Sequence, residues 1–269
     1  MKLSISNIAW DAQDDDKLYE KMKYYGYTGL EIAPTRIFVD KPYEKIETAH
    51  KWHATLQSKY DFVVSSMQSI WFGKNELIFA DNLQRQILLD YTKQAICFAS
   101  AIQCKNLVFG NPRNRVIPDN TNSQLWESGV AFFRQLGLYA KEHNTVIGME
   151  ANPTIYHTNY INTTSQAIDL IEEVGVDGFL LNLDIGAMIE NKECVEILER
   201  HAKLINHVHV SEPFLQSICM HDERRAFHSE LAAFLRENHY QGYVSIEMAK
   251  TKDYSMLDEC LAYVKEMFG

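Results

Sequence analysis

Short runs rich in branched and aromatic residues alternate along the chain with longer segments whose apolar positions recur every three to four residues. The runs are Leu3 to Ile8, Gly29 to Ile32, Phe62 to Gln68, Asn106 to Gly110, Val146 to Glu150, Gly178 to Asp184, Ile205 to Val210 and Tyr243 to Glu247. They predict eight strands. Helical spacing lies between them: Leu18, Met22 and Tyr25 closed by Gly26; Leu83, Ile87 and Leu88 on to Ile102; Phe132, Leu136 and Leu138 to Tyr139; Ile168 and Ile171 closed by Gly175; and Leu257, Leu261, Val264 and Phe268. Thr163 with Gln166 three residues on is a capping-box signature. Eight strand-helix units in 269 residues average about 34 residues each, the size of one (β/α)8 TIM barrel of roughly 250 residues. A doubly wound sheet would carry a glycine-rich turn after its first strand, and the turn after Ile8 reads AWDAQDDD, without glycine. No linker or composition break divides the chain, so residues 1–269 are expected to form a single barrel domain of the α/β class.

Side chains alternate faces along a strand, so residues two apart share a face. Ile147 and Met149 oppose Gly148 and Glu150. Leu181 and Leu183 oppose Asn182 and Asp184; Val208 and Val210 oppose His207 and His209; Val244 and Ile246 oppose Ser245 and Glu247. The apolar set suits packing under helices, which leaves the polar set for the barrel interior, joined there by Ser4, Ser6, Glu31, Ser66 and Gln68 from the first three strands. Parallel strands deliver their C-terminal ends to one rim, the face where barrels of this kind keep their sites. Carboxylates gathered in a semi-enclosed space need a countercharge. A divalent metal supplies it most simply. Glu150, Asp184 and Glu247 with His209 form a mostly hard oxygen set that suits one Mn²⁺, Mg²⁺ or Co²⁺ ion, with zinc the outlying option.

Composition narrows the partners. With 26 Lys plus Arg against 36 Asp plus Glu, a formal charge of −10, the surface repels a polyanion, which argues against nucleic acid. Five cysteines without a CxxC pair fit reduced thiols. No run is long enough for a membrane helix, and the acidic start is unlike a signal peptide. A cytoplasmic protein is expected, with no membrane partner and a homo-oligomer left open.

The contexts GMEANP, NLDIG, HVHVSE and VSIEM, which place Glu, Asp, His and Glu at the ends of strands five to eight, resemble the xylose isomerase-like TIM-barrel superfamily in its sugar phosphate isomerase/epimerase branch. The resemblance spans nearly the whole chain. It implies metal ligands at Glu150, Asp184, His209 and Glu247, and a second role for Glu150 and Glu247 in exchanging a substrate proton. Two positions depart from the pattern. Ala187 stands where many members carry a histidine that contacts substrate, and Gln68 where the endonuclease relatives have a histidine ligand, which argues against a trinuclear zinc site and DNA repair.

The expected activity is metal-dependent isomerisation or epimerisation of a small ketose or ketose phosphate, by proton abstraction next to a carbonyl through a metal-stabilised enediolate. A sugar or inosose dehydratase, a metal-free glycosidase and a non-catalytic sugar-binding barrel are the alternatives. Gln68, Asn152 and Glu212 are placed at the rim as substrate contacts. Arg113 and Arg115 join them there, suiting an anionic substrate or an ion pair equally well. His207, one layer deeper than His209, reads as a hydrogen-bonded core histidine. Glu31 is open between a substrate-facing role and a paired one.

Overall fold

A computed structural model of the chain describes residues 1–118, 123–218 and 220–269. Eight parallel strands close into one barrel in sequence order: β1 (Lys2–Ser6), β2 (Gly29–Ile32), β3 (Val63–Met67), β4 (Leu107–Phe109), β5 (Ile147–Met149), β6 (Phe179–Asp184), β7 (Ile205–Val210) and β8 (Tyr243–Ile246), with β8 pairing back onto β1. The helices are α1 (Asp15–Tyr24), α2 (Pro34–Ile37), α3 (Ile46–Tyr60), α4 (Asn82–Ala101), α5 (Ser123–Glu142), α6 (Thr164–Val174), α7 (Ile185–Asn191), α8 (Asp222–Glu237) and α9 (Tyr254–Phe268). The fold is the expected (β/α)8 barrel. Among the described residues no helix is long and apolar enough to cross a membrane, and Cys97, Cys104, Cys194 and Cys260 are free thiols. Cys219 lies outside the described residues.

Local signals fall where the chain uses them. Thr163 accepts from the Gln166 backbone N–H while the Gln166 side chain reaches back, a complete capping box at the start of α6. Gly175 ends that helix at φ 64°, a left-handed turn that glycine takes without a Cβ penalty. Four helices escape the periodicity reading: the short α2 and α7, and the longer α3 and α8. The inward positions of α3 are Ala49, His53, Leu56 and Tyr60, and those of α8 are His228, Leu231, Ala232 and Leu235. Both stripes mix alanine and histidine with the larger residues, so the apolar signal is weak although the burial is complete.

The alternation within the strands holds. Ile5, Leu30, Ile147, Leu183, Val208 and Val244 are buried against the helices, while Ser4, Ser6, Glu31, Ser66, Asn182, His207 and His209 are buried inside the barrel. That interior is a polar stack. At its lower end Gly29 leaves room for the Tyr243 ring, which a Cβ there would meet at 2.5 Å. One layer up, Gly148 makes room for amides: Asn106 donates to Ser66 Oγ at 2.9 Å and to Asn182 Oδ1 at 3.2 Å. A register shift between β6 and β7 gives Asn206 no partner in the ladder, and this bulge lets its side chain donate to Asn106 Oδ1 at 2.8 Å. Each interior amide thus meets a complementary group, as buried polar atoms require.

His228 shows how the helical layer responds to acid. The ring is fully buried, Nδ1 lies 2.8 Å from Tyr263 Oη, and burial, then Arg224, press its pKa down to about 4. Above the unfolded value near 6.5 the ring is neutral in both states. Below it the unfolded chain takes a proton that the folded chain refuses, so stability falls as pH drops from about 6.5 towards 4, by about 3 kcal/mol in all. Denaturant midpoints measured between pH 7.5 and 4.5 should fall more steeply for the parent than for His228→Leu. Parallel curves would remove His228 as a source of acid sensitivity.

Candidate metal centre and active site

Four strand ends converge as parity predicts. Glu150 follows β5, Asp184 ends β6, His209 lies in β7 and Glu247 follows β8; one ligand atom from each lies within 4.8 Å of every other. His209 is the hub. Its Nδ1 lies 3.1 Å from Glu150 Oε2, 3.2 Å from Glu247 Oε2 and 3.8 Å from Asp184 Oδ2. On the other side of the ring, Nε2 lies 2.8 Å from Glu31 Oε2. His207 Nε2 meets the same Glu31 oxygen at 3.1 Å. Glu31 is therefore a paired residue, fully buried across the barrel from both histidines, and His207 is the hydrogen-bonded core histidine expected.

Charge follows from this geometry. Burial opposes protonation of His209, yet Glu31 and Glu247 hold its pKa well above the usual imidazole range. Burial also opposes ionisation of Glu31, but His209 and His207 hold its carboxyl well below the usual range. For Asp184, burial and then the like charges of Glu150 and Glu247 push the carboxyl up to about 8. Burial raises Glu247 as well. This is an acid cluster short of positive charge, and three carboxylates with one imidazole make a donor set that fits a hard divalent cation. Glu31 on Nε2 matches the usual arrangement in which a metal-binding histidine gives its other nitrogen to a carboxylate.

Neighbours fix each acid in place. Asn182 Nδ2 donates to Glu150 Oε2 at 2.9 Å and Asn152 Nδ2 to Glu150 Oε1 at 3.1 Å. Asp184 caps α7 by accepting from the Ala187 N–H at 2.6 Å, and Ser211 Oγ donates to its second oxygen at 2.6 Å. Position 187 thus serves the site through its backbone. Gly110 approaches Glu150 so closely that a Cβ would lie 2.8 Å from Oε1. Asn182 was legible from parity as an inward residue. Ser211, one residue beyond β7, carried no periodic signal.

The remaining candidates divide. Gln68 is buried and turned to the interior, donating to Ser6 Oγ at 2.8 Å and Glu31 Oε1 at 3.2 Å. Asn152 stands beside Glu150 with its Oδ1 buried and unpartnered. Glu212 is held by Arg224, whose Nε donates to both carboxylate oxygens at 2.9 and 3.1 Å. Arg113 is exposed. Arg115 is fully buried, and its terminal nitrogens donate to the backbone carbonyls of Glu150 at 2.9 Å and Ile161 at 3.2 Å. It braces the segment after β5. Tyr156, in the same segment, has its phenol raised by burial and by the nearby Asp184, Glu150 and Glu247.

The chain belongs to the xylose isomerase-like TIM barrel family, whose model matches residues 19–265. A search of curated proteins by sequence found no significant match. Solved structures share the fold. A 3-keto-D-glucoside 4-epimerase from E. coli superposes with a TM-score of 0.76 at 18% identity over 99% of both chains. D-psicose 3-epimerase from Clostridium cellulolyticum H10, solved with D-tagatose, gives 0.77 at 18% identity over 100% of this chain and 98% of that one. A probable 3-DHS dehydratase involved in petrobactin synthesis, from Bacillus anthracis, gives 0.69 at 15% identity over 97% of each.

Added Mn²⁺ should raise the melting temperature of the parent chain, because an ion that binds only the folded state stabilises it by mass action. His209→Ala and Asp184→Asn should lose that rise, and Gly110→Ala should weaken Mn²⁺ binding by about tenfold or more through displacement of Glu150. Calorimetric titration that finds unchanged affinity in all three would place the ion elsewhere.

Proposed function

We propose that the chain is a divalent-metal-dependent epimerase or isomerase acting on an unphosphorylated ketose or related keto sugar. The observation that carries this reading is the pair Glu150 and Glu247, which converge on a single point, His209 Nδ1, at 3.1 and 3.2 Å from strands three places apart around the barrel. Two carboxylates facing one point can address a reacting carbon from two sides, one removing a proton and the other returning one. Solved barrels of the same fold that carry sugar 3-epimerase and 4-epimerase names support the substrate class.

An ion held by Glu150, Asp184, His209 and Glu247 would supply Lewis-acid polarisation of a carbonyl oxygen. The residues supply the rest. Asn182 and Asn152 hold Glu150 by one oxygen each, which keeps the carboxylate aimed while it accepts a proton. Ser211 and the Ala187 N–H hold Asp184 in the same way. Burial of the whole layer limits access of bulk water, which protects a carbanion-like species from unselective protonation.

The unphosphorylated form of the substrate rests on Arg115. A guanidinium that held a phosphate would present a pair of parallel N–H donors at the site, whereas Arg115 is fully buried and each of its terminal nitrogens donates to a backbone carbonyl, of Glu150 and of Ile161. The exposed Arg113 is the remaining arginine of that loop.

Ketohexoses and their phosphates incubated with the Mn²⁺-loaded protein in D₂O should show solvent deuterium entering a product of otherwise unchanged mass, whereas dehydration would remove the mass of water. Glu247→Gln should lower exchange by about 10² to 10⁴; exchange at the parental rate, with Mn²⁺ still bound, would take Glu247 out of the chemistry. The arginine reading has its own check: Arg113→Ala should leave KM unchanged for every accepted sugar, and a selective rise of about tenfold for a sugar phosphate would identify a phosphate contact.

A further inference from the structure

The loop after β7 holds two consecutive residues in a conformation that neither favours. Phe214 has φ 60° and Leu215 φ 53°, in the left-handed region where bulky side chains are outliers. The segment is pinned from both flanks. The Phe214 N–H donates to Tyr156 Oη at 2.8 Å, and Leu215 O accepts from the Ala249 N–H at 2.7 Å. Tyr156 belongs to the loop after β5 and Ala249 to the segment after β8. Because β6 lies between β5 and β7 in the barrel, the Tyr156–Phe214 contact crosses above the strand end that carries Asp184.

The two rings meet edge to face, 5.8 Å apart at 64°. Phe214 is 60% exposed, so its ring is held in the open at an unfavourable backbone angle with little core packing in return. Strain of this kind persists where surrounding contacts over-determine it, and such positions concentrate at ligand sites. Ala187, three residues beyond Asp184, adds only a methyl group. Beneath the pair stand the acid cluster and Asn152 Oδ1, a buried acceptor with no partner. An aromatic pair therefore stands over a polar layer. A sugar has the same division, with hydroxyl groups around its edge and a patch of C–H bonds on its face.

We propose that Tyr156 and Phe214 form an aromatic wall that stacks on the C–H face of the bound sugar, which makes Phe214 a specificity-determining residue. The inference rests on the sugar-enzyme reading above. It names a contact that neither the metal cluster nor the two glutamates supply.

The test uses the Mg²⁺-loaded full chain with D-psicose and D-tagatose as probes, read by NMR binding titration and by thermal unfolding. With the parent, sugar C–H protons should shift upfield as they enter the ring current of the wall. Phe214→Leu keeps the bulk but removes one of the two rings, and should reduce that shift by about half or more. Phe214→Ala and Phe214→Gly should raise Kd by about tenfold. Phe214→Gly should also match or exceed the parental Tm, because glycine takes a positive φ without strain. Parental affinity in Phe214→Ala, with sugar bound by the parent, overturns the wall and leaves the functional reading intact. A Tm of Phe214→Gly as low as that of Phe214→Ala, both well below the parent, shows a packing residue and also overturns it. Failure of the parent to bind either sugar overturns the functional reading, and the wall with it.

Discussion

One imidazole holds four acids, three of them buried and Asp184 partly so, around its ring. His209 is fully enclosed, with Glu31 on one ring nitrogen and Glu150, Asp184 and Glu247 around the other. Carboxylates brought this close without a countercharge would repel one another and lose their hydration together. The ring offsets part of both, because its two nitrogens point in opposite directions and each serves a different set of acids. Glu31 restrains the rotation of the ring, so the orientation of Nδ1 towards the strand ends is set from below. Barrel closure, the direction of β7 and the pairing of Glu31 with His207 all contribute to the position of that one nitrogen.

The interior beneath the site is built to the same standard. Small residues at Gly29 and Gly148 are what allow a phenol and a stack of amides to occupy the barrel, and the chain of contacts from Asn206 through Asn106 and Asn182 ends on Glu150. A change at the lower end of the stack would thus be felt by a carboxylate at the rim through side chains alone. The helical layer is a separate, apolar core of buried aliphatic and aromatic residues, and the two regions meet only through the strands.

Much of this was legible because a strand has a period of two. That rule needs no knowledge of the fold, so Glu150, Asp184, His209 and Glu247 could be chosen from alternation and strand order alone. Gly29 to Ile32 and Ile205 to Val210 matched β2 and β7 residue for residue. Glu31 shows the limit of the rule. Alternation turned it inward, but its partners lie across the barrel, 176 and 178 positions away along the chain, and only the closed cylinder brings them together. Arg115 shows another limit: strand order placed its loop at the rim, yet loops have no period, and its side chain turned under the chain rather than over the site. The strained pair Phe214 and Leu215 left no trace in the sequence, since nothing in Pro213, Phe214, Leu215 advertises a positive φ.

The seam of the barrel joins the two ends of the chain. Lys2 is in register with Tyr243 and Ile5 with Ile246, and α1 is tied to α9 by an ion pair between Lys21 and Asp258. The four clustered groups stand on the last four strands. During synthesis from the N-terminus, Glu150 and Asp184 therefore emerge before the histidine that compensates them, and Glu247 arrives with the strand that closes the cylinder. Domains generally fold as units once their parts are available. Until β8 pairs with β1 the cluster lacks one of its carboxylates, and the barrel that encloses His209 is not closed. Glu247 belongs to the segment that closes the cylinder, so the complete four-residue cluster exists only in the closed barrel.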